Sequence, residues 1–297
     1  MESRLEWGIV YVGYFNGDGM INIITDSTAD LSPEIASEFN LAIVPLLVTI
    51  GGKVYRDGVD IHQKELFALV EKYGELPKTA APSVGEFTKA FDQAGESIFI
   101  GISSKLSATV QNARIAGDML PPGRVRVVDS NNLSSGVGLL VLLAAELRDR
   151  DLSAEQIEKE IIQSACKVRT SFVIDTMEYL YKGGRCTALQ AMMGTMLKIH
   201  PIIEVRPDGT LGVKAKAHGT LHKGLHVLLD EFESQLATLD PRRVFVTTTS
   251  DNEPDVEFLV EGVRRIAAPQ DIRVTRAGSV ISSHCGPRTT GILFLVK

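Results

Sequence analysis

Cysteine is scarce in this chain: Cys166, Cys186 and Cys285 are the only three in 297 residues. They are odd in number, far apart and form no Cys-x-x-Cys pair. That excludes a disulfide scaffold and a zinc ribbon and favours a reducing compartment. Basic residues are not in excess either. Lys and Arg total 31 against 37 Asp and Glu, a net charge of −6. Without a basic field to displace counterions, nucleic acid is not an expected partner. Long apolar runs are also missing. The longest, Val137–Ala145, is about half a membrane span and is closed by Glu146 and Arg148, which marks a core helix. The first residues lack a basic segment leading into a long apolar core, so no signal peptide is expected and the location reads as cytoplasmic. No G-x-G-x-x-G, no P-loop and no G-x-S-x-G occurs, so neither a nucleotide site nor a standard hydrolase elbow is supported.

What is present is ordinary globular composition, 44% hydrophobic and 23% charged, in a chain long enough for two domains. Residues 1–19 differ from the rest: they hold the only Trp and two of the six Tyr, and Met20 directly precedes the first clear strand. From there strands and helices alternate. Strands are expected at Ile21–Ile24, Ala42–Ile50 with a return at Lys53–Tyr55, Ser97–Ile102 and Arg124–Val128. Helices are expected to open at Ser32-Pro33, at Ser83 with its Glu86 capping box, and after Ser107. This alternation predicts an α/β class, with an α/β/α parallel-sheet domain over residues 20–160. Residues 161–297 carry strands joined by turns as well as helices, such as 200–205 and 211–214 around Pro207–Thr210. They predict an α+β sandwich domain with a mixed or antiparallel sheet. Residues 1–19 read as an N-terminal extension.

In parallel sheets, ligands bind beyond the carboxyl ends of strands. Here those ends carry hydroxyls: Ser27 after the first strand, Thr79 and Ser83 in an expected loop, and Ser103, Ser104 and Ser107 after the strand 97–102. Hydroxyls beside helix N-termini suit a carboxylate or phosphate. Candidate apolar walls are Phe172–Ile174 and the Met-rich run 191–196, since Met adapts to flexible ligands. His218, His222 and His226 are four residues apart, but no Cys or carboxylate completes a metal site, so no metal is expected.

Several of these pieces occur together in a fixed order: Thr25–Asp30, Tyr55–Ile61, Thr79-x-x-Pro-Ser83, Ile102–Ser107, Val128–Ser130, Gly183-Gly-Arg185 and His284-Cys-Gly-Pro287 with Gly291. The set resembles the DegV family of fatty-acid-binding proteins and spans residues 20–297. The resemblance implies a buried long-chain fatty acid, such as palmitate, stearate or oleate, and no cofactor. It implies a bacterial lipid carrier, not itself an enzyme, that presents the carboxylate to a separate ATP-binding fatty acid kinase. The acyl phosphate then enters phospholipid metabolism, with transient membrane-surface contact. Carried onto this chain, Thr79 and a Ser of the 103–107 turn would hold the carboxylate, Ser107 first and Ser104 second, with Ser103 also in the site. Ser27 would line the polar end. His284 and Gly286 would reach the head group, and Arg185 would sit at the mouth. The alternative is a hydrolase or acyl transferase using His284 and a Ser of that turn. Ala80-Ala81, Ala108 and Arg288 depart from the family pattern, Arg288 standing where a more permissive Gly is usual.

Overall fold

A computed structural model describes residues 10–11, 21–187, 199–251 and 253–297. The extension at residues 1–19, apart from Val10 and Tyr11, and the Met-rich run 191–196 lie outside the described residues.

The first layer is a five-stranded sheet built from β1 (Val10–Tyr11), β2 (Asn22–Asp26), β3 (Leu41–Val44), β7 (Ser97–Gly101) and β8 (Val125–Asp129). Its order is β1-β3-β2-β7-β8, with β3, β2, β7 and β8 parallel and β1 antiparallel at the edge. Both faces of its central strands are covered, so β2 and β7 are buried at every position, as a parallel sheet requires. A small antiparallel sheet of β5 (Lys53–Arg56), β4 (Leu47–Ile50) and β6 (Lys78–Ala80) stands beside it. The apolar run 42–50 is therefore two strands, not one. Pro45, between them, has no N–H for a ladder, and the next amide, Leu46, donates to Ser27 Oγ at 3.0 Å. Thr79 likewise lies within a strand, paired with Val48, and not in a loop.

The second sheet has six strands: β9 (Val168–Val173), β10 (Ile199–Val205), β11 (Leu211–His218), β12 (Leu239–Thr248), β13 (Asp271–Arg276) and β14 (Thr290–Val296). The order is β11-β10-β9-β14-β12-β13, antiparallel except for the β12–β13 edge. It is the mixed sheet that the turn-joined strands predict.

The helices are α1 (Pro33–Glu38), α2 (Gln63–Tyr73), α3 (Val84–Phe91), α4 (Thr109–Asp118), α5 (Ser135–Arg148), α6 (Ala154–Ala165), α7 (Glu178–Lys182), α8 (Leu221–Ser234), α9 (Glu253–Ala267) and α10 (Ser279–Cys285). Local signals set several starts. Ser32 caps α1 with Pro33 at its first position, and Ser83/Glu86 and Ser153/Gln156 form capping boxes for α3 and α6. Apolar α5 is buried along nearly its whole surface. It packs on β2 and β7 of the first sheet and on β9, β12 and β14 of the second. Ile23 and Ile100, Leu139 to Leu143, and Phe245 and Leu293 thus join one continuous core across both sheets.

Candidate functional site: an apolar cavity with a polar end

A cavity of about 250 Å³ opens among β4, β6, the turn after β7, α7 and α10. Most of its wall is apolar: Leu46, Ile102, Leu106, Leu133, Leu180, Leu211, Val280, Ile281 and Cys285. Four of the predicted site residues meet at it, namely Thr79, Ser107, Arg185 and His284, and Ala80, Ala81 and Ala108 line it as well. Thr79 arrives from β6, where pairing with β4 fixes its backbone. His284 arrives from the last turn of α10, a helix of serines and β-branched residues that local propensity does not favour. His284 Nε2 lies 2.8 Å from Thr79 Oγ1.

The imidazole is neutral at physiological pH. Burial first, and then the charge of Arg185, lowers its pKa to about 4. Its Nδ1 is buried with no hydrogen-bond partner, against the backbone of Gly183, where a side-chain carbon would lie 2.5 Å from Nδ1. An unpaired N–H there costs more than an unpaired lone pair, so we assign the proton to Nε2. The ring then donates to Thr79 Oγ1, and the Thr79 hydroxyl keeps its own proton for an acceptor in the cavity. Arg185 is exposed at the mouth, donating from Nη1 to the Gly183 carbonyl at 2.6 Å and from Nε to the Leu106 carbonyl at 3.4 Å. Ser107 Oγ is 2.8 Å from Thr109 Oγ1 and accepts the Thr109 N–H that begins α4.

The other predicted residues lie elsewhere. Ser103 is buried and donates to the Gly209 carbonyl of the β10–β11 turn at 3.0 Å. Ser104 is exposed, its N–H directed to Asp129. Ser27 lines a different cavity with Asp30 and Asp57. Gly286 ends α10 with φ 78°, a left-handed conformation that glycine accepts readily, and a Cβ there would meet the Tyr179 ring at 2.9 Å. The His284 ring is paired with Thr79, whereas Ser103 and Ser107 are bonded to other groups.

Of the expected walls, Phe172 borders a second small space of about 20 Å³, which shares Leu133, Ile281 and Cys285 with the main cavity. Phe172 and Ile174 belong to the core cluster around both spaces, whereas Val173 faces the opposite side of β9, as strand alternation requires. His218 ends β11 while His222 and His226 sit on α8, so the three do not share one helix. Arg288 does take the left-handed conformation a glycine would favour, with φ 57°, and its guanidinium reaches Asp175 at 3.5 Å and Asp255 at 3.9 Å.

A family model described as "Uncharacterised protein, DegV family" matches residues 20–297. The chain belongs to the DegV family. A DegV domain-containing protein of Caldanaerobacter subterraneus subsp. tengcongensis is 34% identical over 286 residues, covering 93% of this chain and 99% of that protein. Among solved structures, a DegV family protein from Thermus thermophilus, presented as fatty acid binding, matches with a TM-score of 0.86 and 31% identity. That match covers 94% of this chain and all of the other. DegV of Bacillus subtilis, a fatty acid binding protein, matches with a TM-score of 0.81 and 27% identity over 94% and 100% of the two chains. Among the described residues, no helix is long and apolar enough to cross a membrane, and no group of three or more His, Cys, Asp or Glu could hold a metal ion.

Proposed function

We propose that this DegV protein binds a long-chain fatty acid and presents its carboxylate to a separate ATP-dependent kinase that forms the acyl phosphate. The observation that carries the reading is the Thr79–His284 pair at the polar end of an otherwise apolar cavity. An acyl chain gains about 0.8 kcal/mol per buried CH₂, roughly 10 kcal/mol for sixteen carbons before association costs. The carboxylate then needs donors. The Thr79 hydroxyl and the Ser107 hydroxyl supply them at the cavity wall, and Arg185 supplies positive charge at the mouth. The chain runs inward past Leu133, Ile281 and Cys285 toward Phe172, rotation of those side chains joining the two spaces. The carboxylate end lies nearest the mouth, within reach of a partner. The chain has no P-loop of its own, so the phosphoryl donor belongs to that partner.

The test is to denature freshly purified protein, extract it with organic solvent and analyse the extract by mass spectrometry. One fatty acid per chain is the expected result. An empty extract, together with failure to take up added palmitate or oleate, overturns the reading. Turnover of acyl phosphate or an ester by the chain alone, lost in His284→Ala, would instead favour the hydrolase or acyl transferase.

A further inference from the structure

The helix that delivers His284 begins on two carboxylates from distant parts of the chain. The Gly278 N–H donates to Asp30 Oδ1 at 2.8 Å, and the Ser279 N–H donates to Asp57 Oδ1 at 2.6 Å. The Ser279 hydroxyl donates to the Ile61 carbonyl at 3.2 Å. A side-chain carbon at residue 278 would stand 2.9 Å from Asp57 Oδ1 and 3.0 Å from Oδ2, so only glycine lets the carboxylate come this close. Downstream, the same short helix supplies Val280, Ile281, His284 and Cys285 to the wall of the ligand cavity.

Asp57 is 2% exposed, and its second oxygen, Oδ2, is buried with no hydrogen-bond partner. Yet Asp57 also lines a second cavity of about 470 Å³, which shares no lining residue with the ligand cavity, so protons can reach it.

We propose that Asp57 is a positioning residue for the ligand cavity: with Asp30 it clamps the start of α10, and the charge on this clamp sets how fast the bound ligand leaves. The inference rests on the fatty-acid reading above. The groups facing Asp57 are named element by element. Asp26 ends β2, and Asp30 follows the short turn after it. Arg56 is committed to Asp60. His62 stands at the start of α2, Arg276 and Glu34 border the second cavity, and Cys285 closes α10. No cation is paired with Asp57 among the described residues.

Burial is the largest influence on Asp57 and pushes its pKa up to about 6, with Asp26 adding to the rise and the Ser279 N–H opposing it. Burial pushes Asp30 well above the usual carboxylate range. The Gly278 and Ser279 N–H bonds that make the clamp hold the ionised carboxylates and weaken when a proton is added. The clamp therefore loosens as the pH falls through 6 and tightens as the pH rises through it.

The test follows release of bound radiolabelled palmitate into excess unlabelled palmitate between pH 5 and 7.5. In the unmodified protein the release rate climbs as the pH falls through 6. Asp57→Asn keeps an acceptor for Ser279 and removes the charge. Its release is faster by about tenfold at pH 7.5 and loses that climb. Asp57→Ala strands the Ser279 N–H and releases quickly at every pH. If the Ala variant does not fold, the Asn variant still decides. Superimposable pH profiles for Asp57→Asn and the unmodified protein overturn the proposal. Hydrogen exchange of the 279–285 amides in ligand-free protein gives a reading independent of lipid. Faster exchange in Asp57→Asn at pH 7.5 supports the clamp even in a chain that takes up no fatty acid, and unchanged exchange overturns it.

Discussion

Thr79 and His284 are 205 positions apart, and their side chains meet at 2.8 Å. A three-residue strand from the small sheet and a seven-residue helix from the far end of the chain make this contact. Neither element could hold the geometry alone. The cavity's polar end is thus a product of tertiary assembly, and removing one hydroxyl tests it directly.

Thr79→Val keeps the shape and removes the donor. We expect fatty-acid affinity to fall roughly tenfold, the value of one hydrogen bond to a charged acceptor. The melting temperature should move little, because Thr79 is only partly buried. Displacement of a fluorescent fatty acid measures the first and a thermal melt the second. Unchanged affinity would place the carboxylate elsewhere.

The neutral state of His284 gives a pH signature. Its folded pKa, about 4, lies below its unfolded value near 6.5. The unfolded chain therefore binds more protons in that window, and His284 withdraws stability as the pH falls from 6.5 towards 4. Asp57 acts in the opposite sense between its ordinary range and 6. Urea unfolding at pH 7.5 and pH 5 should show a smaller loss of stability on acidification in His284→Gln than in the unmodified protein. An identical loss would mean that His284 is not held neutral.

Gly183 serves His284 by having no side chain. In Gly183→Ala the new carbon would lie 2.5 Å from Nδ1 and 2.9 Å from the Tyr179 carbonyl. The imidazole must then swing away from Thr79. We expect ligand affinity to drop severalfold and the histidine ring resonances to shift in NMR spectra. Retained affinity with an unshifted ring would show that the backbone yields instead.

Helix α5 is the shared support of both sheets. Leu140 is fully buried in the core they hold in common, so Leu140→Ala should cost about 2–5 kcal/mol. Because the core is continuous, tryptophan-free probes such as far-ultraviolet dichroism and amide exchange should report one transition for both sheets. Two separated transitions would contradict the shared core.

Much of this arrangement is legible in the sequence. Short continuous apolar runs mark the central strands, and Ser32-Pro33, Ser83/Glu86 and Ser153/Gln156 mark helix starts through side chains at most three residues apart. Thr79, Ser107, Arg185 and His284 can be picked out as site candidates by residue type and motif. What is not legible depends on partners far away in the chain. Four residues between Pro77 and Pro82 do not announce a strand, and β6 exists because β4 offers it an edge. Ser-Val-Ile-Ser-Ser-His-Cys is a weak helix sequence, and α10 forms where Asp30 and Asp57 receive its first N–H groups. Ser27 sits at a strand end as expected, but its hydroxyl is taken by the amide that Pro45 leaves outside a ladder. Those outcomes follow from competition among long-range hydrogen bonds, which local pattern does not encode.

The burial of α5 between two sheets also bears on how the molecule is made. Strand β14 is central to the second sheet, pairing with both β9 and β12, and it is also the last strand in chain order. While a ribosome is still building the chain, the first sheet can assemble beneath α5, but the second roof over Leu139 and Leu143 stays incomplete until residues 290–296 join β9 to β12. For that interval the nascent chain carries a partly uncovered greasy ridge, a natural landing place for a chaperone.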